Sequence, residues 1–146
     1  MSAPPPITCT RRVEFDAAHR VARHESKCKY IHGHRYVVEA TFEAEHLDAL
    51  GRVIDFGQIK EVLGNWIDEH WDHTLILGTE DKTLGESVAK QTGQTVYYLP
   101  YNPTAENMAK YLLDAICPLL FKETGVRCSR IRIWETPNCY ADALLT

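Results

Sequence analysis

The chain has 146 residues, 45% of them hydrophobic and 25% charged, with a formal net charge of −4. That balance belongs to one soluble folded domain with enough apolar surface to bury a core, and it excludes a disordered chain and a general nucleic-acid binder. No apolar run approaches the roughly 20 residues of a membrane-spanning helix, so a membrane partner is excluded as well. Pro4, Pro5 and Pro6 predict residues 1–6 as a loose, stiff tail. Five cysteines (Cys9, Cys28, Cys117, Cys128, Cys139) are an odd, scattered set, and the first fifteen residues lack the basic start and apolar core of a secretory signal. Reduced thiols in a cytoplasmic protein are the expectation. Charge is uneven: residues 11–35 carry seven Lys/Arg against three acids, a local +4, which suits steering of a small anion or merely a solvated strand and loop.

In chain order, residues 7–15 alternate Ile7, Cys9, Val13 and Phe15 on one face, the pattern of a half-buried strand. Residues 16–31 read as a polar loop, and 34–44 as a second strand with Tyr36, Val38, Ala40 and Phe42 together. Asp55 predicts an N-cap with Gln58 in capping-box position, and Ile59, Val62, Leu63, Trp66 and Ile67 then carry a helix over 56–70. Thr83 with Glu86 predicts a short helix that Gly93 closes. Residues 94–99 read as a strand. A third helix begins at Thr104 and runs toward Pro118, which kinks or ends it. Residues 126–135 form the last strand. Antiparallel pairing with helices on one face gives a single α+β domain.

Histidines mark the chemistry. His32 and His34 flank Gly33, and side chains two apart on a strand point the same way. His19 follows the first strand, and antiparallel pairing brings it to the same place. Three histidines form a catalytic-type zinc set with an open position, although a His-Gly-His step also serves simply to cap a strand. Cys28, between Lys27 and Lys29, is a candidate thiolate. It is equally a fourth ligand of a closed, structural zinc, or a spare thiol. Asp72-His73 follows the first helix as an acid–imidazole unit for proton transfer, or as an ordinary helix-end turn. Glu135 falls on the apolar face with Ile131 and Ile133, where a carboxylate needs a partner: a ligand with paired N–H donors, or else Arg130 or Arg132. Glu106, in the first turn of the third helix, suits the helix dipole.

Taken in order, FDAAH (15–19), CKYIHGH (28–34), VIDFGQIK (53–60), WDHTLIL (71–77), PTAEN (103–107) and WET (134–136) resemble the 6-pyruvoyl-tetrahydropterin synthase and 6-carboxy-tetrahydropterin synthase family. The likeness runs from about residue 8 to 136. It implies the tunnelling fold, an antiparallel sheet with two main helices on one face, closed into a barrel by oligomerisation. It further implies a homohexamer (a dimer of trimers) with active sites between subunits and one Zn2+ per subunit on His19, His32 and His34. Cys28, Asp72 and His73 match the catalytic residues. Glu135 matches the anchor of the pterin ring, with Thr104 and Glu106 helping to hold it.

Three residues separate Cys28 from His32, which is similar to the bacterial 6-carboxy branch. The implied reaction takes the small-molecule pterin 7,8-dihydroneopterin triphosphate to 6-carboxy-5,6,7,8-tetrahydropterin, acetaldehyde and triphosphate, in queuosine or deazapurine biosynthesis. Triphosphate elimination without carbon–carbon cleavage, giving the 6-pyruvoyl product, is the neighbouring alternative. A non-enzymatic structural-zinc protein that binds a pterin is the alternative of another class. Two features depart from the family pattern. Residues 82–99 read as an insertion near the site entrance, and Ala105 stands where many members carry a hydroxyl residue.

Overall fold

The computed structural model describes residues 7–146; the tail read over 1–6 lies outside them. The elements are β1 (Thr8–His19), β2 (His32–Ala44), α1 (56–70), β3 (Leu75–Gly78), α2 (Lys82–Thr92), β4 (Val96–Leu99), α3 (105–120), β5 (Val126–Thr136) and β6 (Cys139–Leu144). They form one six-stranded sheet in the order β4-β3-β1-β2-β5-β6. The pairs β1–β2, β2–β5 and β5–β6 are antiparallel, and β3 joins β1 and β4 in parallel.

Two strands escaped the alternation test. β3 is buried at every position, so its run LILG has no polar phase to reveal a period of two. β6 is an edge strand whose small residues Ala141 and Ala143 provide the inward phase. β1 also runs four residues further than predicted, because Phe15, Ala17 and His19 continue the buried phase. That extension is what positions the site.

The inward faces of β1, β2 and β5 supply Phe15, Tyr36, Val38, Phe42, Ile131 and Ile133 to the core. Ile59, Leu63 and Ile67 of α1 and Met108, Leu112 and Ile116 of α3 close over them. Asp55 caps α1 as expected, its Oδ1 accepting from Gly57 N at 2.9 Å. The cap expected at Thr83 and Glu86 is not how α2 begins: a 3-10 turn over Thr79–Asp81 leads straight into Lys82. Gly93 does close α2, in the left-handed conformation (φ 74°). Pro118 does not end α3. Its missing N–H falls just after a widened π turn, Leu112–Ile116, and the helix resumes to Leu120.

Over β1, β2, β5 and β6 the opposite face of the sheet is largely polar. Arg12 pairs with Glu14 at 3.4 Å, Arg35 with Asp16 at 2.9 Å and Arg132 with Asp142 at 2.7 Å. Arg20 and Arg23 face Asp81 and Glu80 at 3.2 Å each. Much of the basic cluster is therefore tied to carboxylates of the same chain, whereas Lys27 and Lys29 form no ion pair among the described residues.

Candidate metal centre and the adjoining acid–imidazole pair

Strand register assembles the first cluster. His19 pairs with His32 and Ala17 with His34, so three imidazoles meet at one end of the β1–β2 ladder on its inward face. Val37 pairs with Trp134, which sets Glu135 beside Tyr36 and within reach of the rings. His19, His32, His34 and Glu135 each offer a ligand atom, all within 4.8 Å of one another. His19 Nε2 lies 3.1 Å from His32 Nε2 and 3.0 Å from Glu135 Oε1, and His34 Nε2 lies 3.3 Å from the same oxygen.

The far side of two rings decides what these atoms are. His19 Nδ1 is 2.7 Å from the carbonyl oxygen of Pro103, and His32 Nδ1 is 2.6 Å from that of Tyr30. A carbonyl only accepts, so both Nδ1 atoms carry hydrogen and, in the neutral rings, both Nε2 atoms present lone pairs to the cluster. His34 Nε2 is buried with no hydrogen-bond partner. Desolvation, partly opposed by Glu135 and reinforced by His19 and His32, lowers the His34 pKa and keeps the ring neutral. The Nε2 lone pairs of His19 and His32, the His34 ring and a carboxylate thus face one point. Only a cation or a shared proton can reconcile them, and the nitrogen and oxygen donors suit a borderline metal such as zinc.

Cys28 is not a member of this group. It sits half-buried on the 3-10 turn Lys27–Lys29, and the carboxylate of Glu135 is the fourth group beside the three imidazoles. The alternative pairing of Glu135 with Arg130 or Arg132 is not realised either, since Arg132 is engaged by Asp142.

Asp72 and His73 do meet, and their backbone explains how neighbours can. His73 has φ 59°, a left-handed conformation that costs a side-chain-bearing residue about 1–2 kcal/mol. It turns the ring back so that Nδ1 stands 3.0 Å from Asp72 Oδ2. The other carboxylate oxygen, Oδ1, accepts from the Asp16 amide at 3.0 Å, and His73 N donates to the Asp16 carbonyl at 2.6 Å. Partial burial pushes the Asp72 carboxyl upward, but the Asp16 amide, His73 and the Arg35 charge together hold it below the ordinary range. The ionised carboxylate therefore fixes His73 Nδ1 as the protonated nitrogen and leaves Nε2 for proton transfer. A cavity of about 430 Å³ is lined by Asp16, Gly33, His34, Arg35, His73 and Gln94, among others, and so touches both clusters.

Thr104 caps α3, its Oγ1 accepting from Asn107 N at 3.1 Å. Glu106 is exposed in the first turn, and it lines a cavity of about 130 Å³ with Ala105, Glu135 and Tyr140. Sequence reasoning missed three participants. Asp16 was visible inside FDAAH but reads as a loop residue there. Tyr36 continues the His32–His34 phase with a fully buried hydroxyl that has no partner. The Pro103 carbonyl leaves no side-chain signal at all.

A curled sheet carrying α1 and α3 on one face, with a histidine–carboxylate centre at the strand ends, defines the tunnelling-fold class of α+β proteins. The chain belongs to the 6-pyruvoyl tetrahydropterin synthase family, which it matches over residues 8–144. It is 51% identical over 136 residues to the 6-carboxy-5,6,7,8-tetrahydropterin synthase of Rickettsia bellii, covering 93% of this chain and 99% of that one. The protein of the same name from Rickettsia felis is 50% identical over the same shares. Among solved structures, the 6-pyruvoyl tetrahydropterin synthase of Caenorhabditis elegans superposes with a TM-score of 0.67 at 23% identity, covering all of both chains. An uncharacterized protein of Wolinella succinogenes superposes at 0.82 with 21% identity, over 98% of this chain and all of that one. These two structures carry the fold, and the family carries a tetrahydropterin synthase of the lyase type acting on a small pterin.

Proposed function

We propose that the chain converts 7,8-dihydroneopterin triphosphate and water to 6-carboxy-5,6,7,8-tetrahydropterin, acetaldehyde and triphosphate, as a zinc-dependent carbon–carbon lyase supplying queuosine or deazapurine synthesis. The observation that carries this reading is the 51% identity, along 93% of the chain, to a relative bearing that product's name. The three-residue interval between Cys28 and His32 supports the same branch.

His19, His32 and His34 would hold Zn2+, which when bound stabilises negative charge developing on an oxygen. Glu135 anchors the pterin through its 2-amino group and ring N–H, at the wall of the cavity it shares with Glu106, while Thr104 orders that wall by capping α3. Cys28, as a thiolate, takes a proton from the substrate side chain. His73, oriented by Asp72, moves the second proton at Nε2. Holding the ring rigid places these groups on one positioned substrate. We also infer assembly into a hexamer with sites between subunits. Unpaired sheet edges support it, among them residues 8–15 of β1, beyond the bonds that Asp16 and Ala18 make to the segment leading into β3, and the outer side of β6.

The test is mass spectrometry of products from 7,8-dihydroneopterin triphosphate with zinc-loaded protein, alongside an acetaldehyde assay. A carboxy product with matching acetaldehyde is expected. A pyruvoyl product without acetaldehyde moves the chain to the eliminating branch, and no turnover by zinc-replete protein overturns both.

A further inference from the structure

Residues 79–99 add a 3-10 turn, α2 and β4 beside β3, and no step of the reaction above uses them. One side chain from this segment reaches the acid–imidazole pair. Gln94 lies in the link between α2 and β4, directly after Gly93 ends the helix. Its Nε2 donates to the carbonyl oxygen of His73 at 2.9 Å and to that of Thr95 at 2.9 Å. The Thr95 carbonyl also accepts from Leu75 N at 3.1 Å, so this short link grips both sides of the turn through His73. The Gln94 amide N–H donates to Thr92 Oγ1 at 3.1 Å, which fixes where its side chain starts.

His73 needs such a grip. Its φ of 59° is unfavourable for any residue with a Cβ. Its side chain is 77% exposed, so packing does not hold the ring. Among the described residues, two hydrogen bonds hold its backbone: its N–H to the Asp16 carbonyl from β1, and its carbonyl from Gln94. If the residue relaxed toward the right-handed region, the Cα–Cβ direction would swing and carry Nδ1 off Asp72.

We propose that Gln94 is the positioning residue that locks His73 in its left-handed conformation, and that the α2–β4 segment acts on the reaction through this one amide. The inference rests on the proposed proton-transfer role of His73. Among the described residues Gln94 hydrogen-bonds to neither a metal-centre residue nor Asp72, and it transfers no proton; it fixes the direction in which the imidazole presents Nε2.

The experiment uses Gln94→Met, which keeps side-chain length and removes both donated hydrogen bonds, in the zinc-loaded protein. The expected result is a kcat about tenfold lower with KM within about twofold, and native metal content. The 15N and 13C shifts of the His73 ring should move as the Asp72 contact loosens. On the residual activity of His73→Ala, Gln94→Met should add nothing, as a double-mutant cycle requires for residues acting as a unit. Gln91→Met is the control, since Gln91 bonds Ser87 on the exposed side of α2, and it should keep native kcat. A Gln94→Met variant with lowered Tm but native kcat and native His73 shifts overturns the proposal, as does an equal loss in the His73→Ala background. Full activity of His73→Ala itself would overturn the catalytic reading beneath it. An inactive His73→Ala beside an unaffected Gln94→Met removes the positioning role alone.

Discussion

His19 Nδ1 stands 2.7 Å from the carbonyl oxygen of Pro103, 84 residues along the chain, and this one contact decides which nitrogen of His19 faces His32 and Glu135. The segment that caps α3 therefore also presets a metal ligand. Because the Nε2 lone pairs of His19 and His32 face the Glu135 carboxylate, a bound cation should stabilise the centre. Stripping the metal with a chelator is expected to lower Tm on the order of 10 °C, and His32→Ala is expected to abolish stoichiometric metal. Elemental analysis with a thermal melt checks both, and an unchanged melt after complete stripping would refute the argument.

Cys28 lies outside the ligand group, so metal binding and chemistry should separate there. Cys28→Ala is expected to keep full metal content and native Tm while turnover falls about 10²–10⁴-fold. Loss of metal together with stability would restore the thiol as a structural ligand.

Asp72 keeps the His73 imidazole in one tautomer. Asp72→Asn preserves shape and can still accept from the Asp16 amide, but it withdraws the charge that stabilises an imidazolium. A fall in kcat of about 100-fold is expected, with metal content unchanged. Steady-state kinetics with native-like turnover would exclude the pair from proton transfer.

Acid stability should depend on Asp142. Its hydrogen bonds from Arg132, at 2.7 and 2.9 Å, together with the Arg132 and Arg130 charges, hold its carboxyl below the ordinary carboxylate range despite desolvation. A carboxyl lowered by folding stabilises the native state above its unfolded pKa, and the contribution disappears as pH falls through the lower folded value. The difference in stability between the native protein and Asp142→Asn should thus be constant above about pH 5 and shrink below pH 4. Urea melts at several pH values measure it, and a difference independent of pH would contradict the assignment.

Tyr36 buries a hydroxyl with no partner among the described residues, and desolvation, with the Glu135 charge, raises its pKa far above the ordinary phenol range. The ring also stacks on Phe15 at 5.0 Å. Tyr36→Phe keeps the stack and removes the orphaned donor, so it is expected to be neutral or to stabilise the protein by about 1 kcal/mol. A clearly destabilised variant would reveal a partner for the hydroxyl.

The sequence by itself determined the elements whose periodicity is local and the ligands whose spacing is local. α1 occupies 56–70 because its apolar residues recur at helical spacing behind the Asp55 cap, and His32 and His34 share a face because strand side chains alternate. The motifs in order also determined the family. Tertiary structure alone decided the rest, because each remaining feature depends on register or on a distant backbone. Pairing of His19 with His32 required β1 to run past its predicted end, and Glu135 joined the histidines because β5 pairs with β2 at Val37 and Trp134. β3 was hidden by its burial on both faces, since a strand with no solvent side shows no alternation. His73 meets Asp72 only through a positive φ, held by the Asp16 carbonyl and the Gln94 amide. Periodicity reports which residues are buried; hydrogen bonds across 21 to 84 residues report how they face each other.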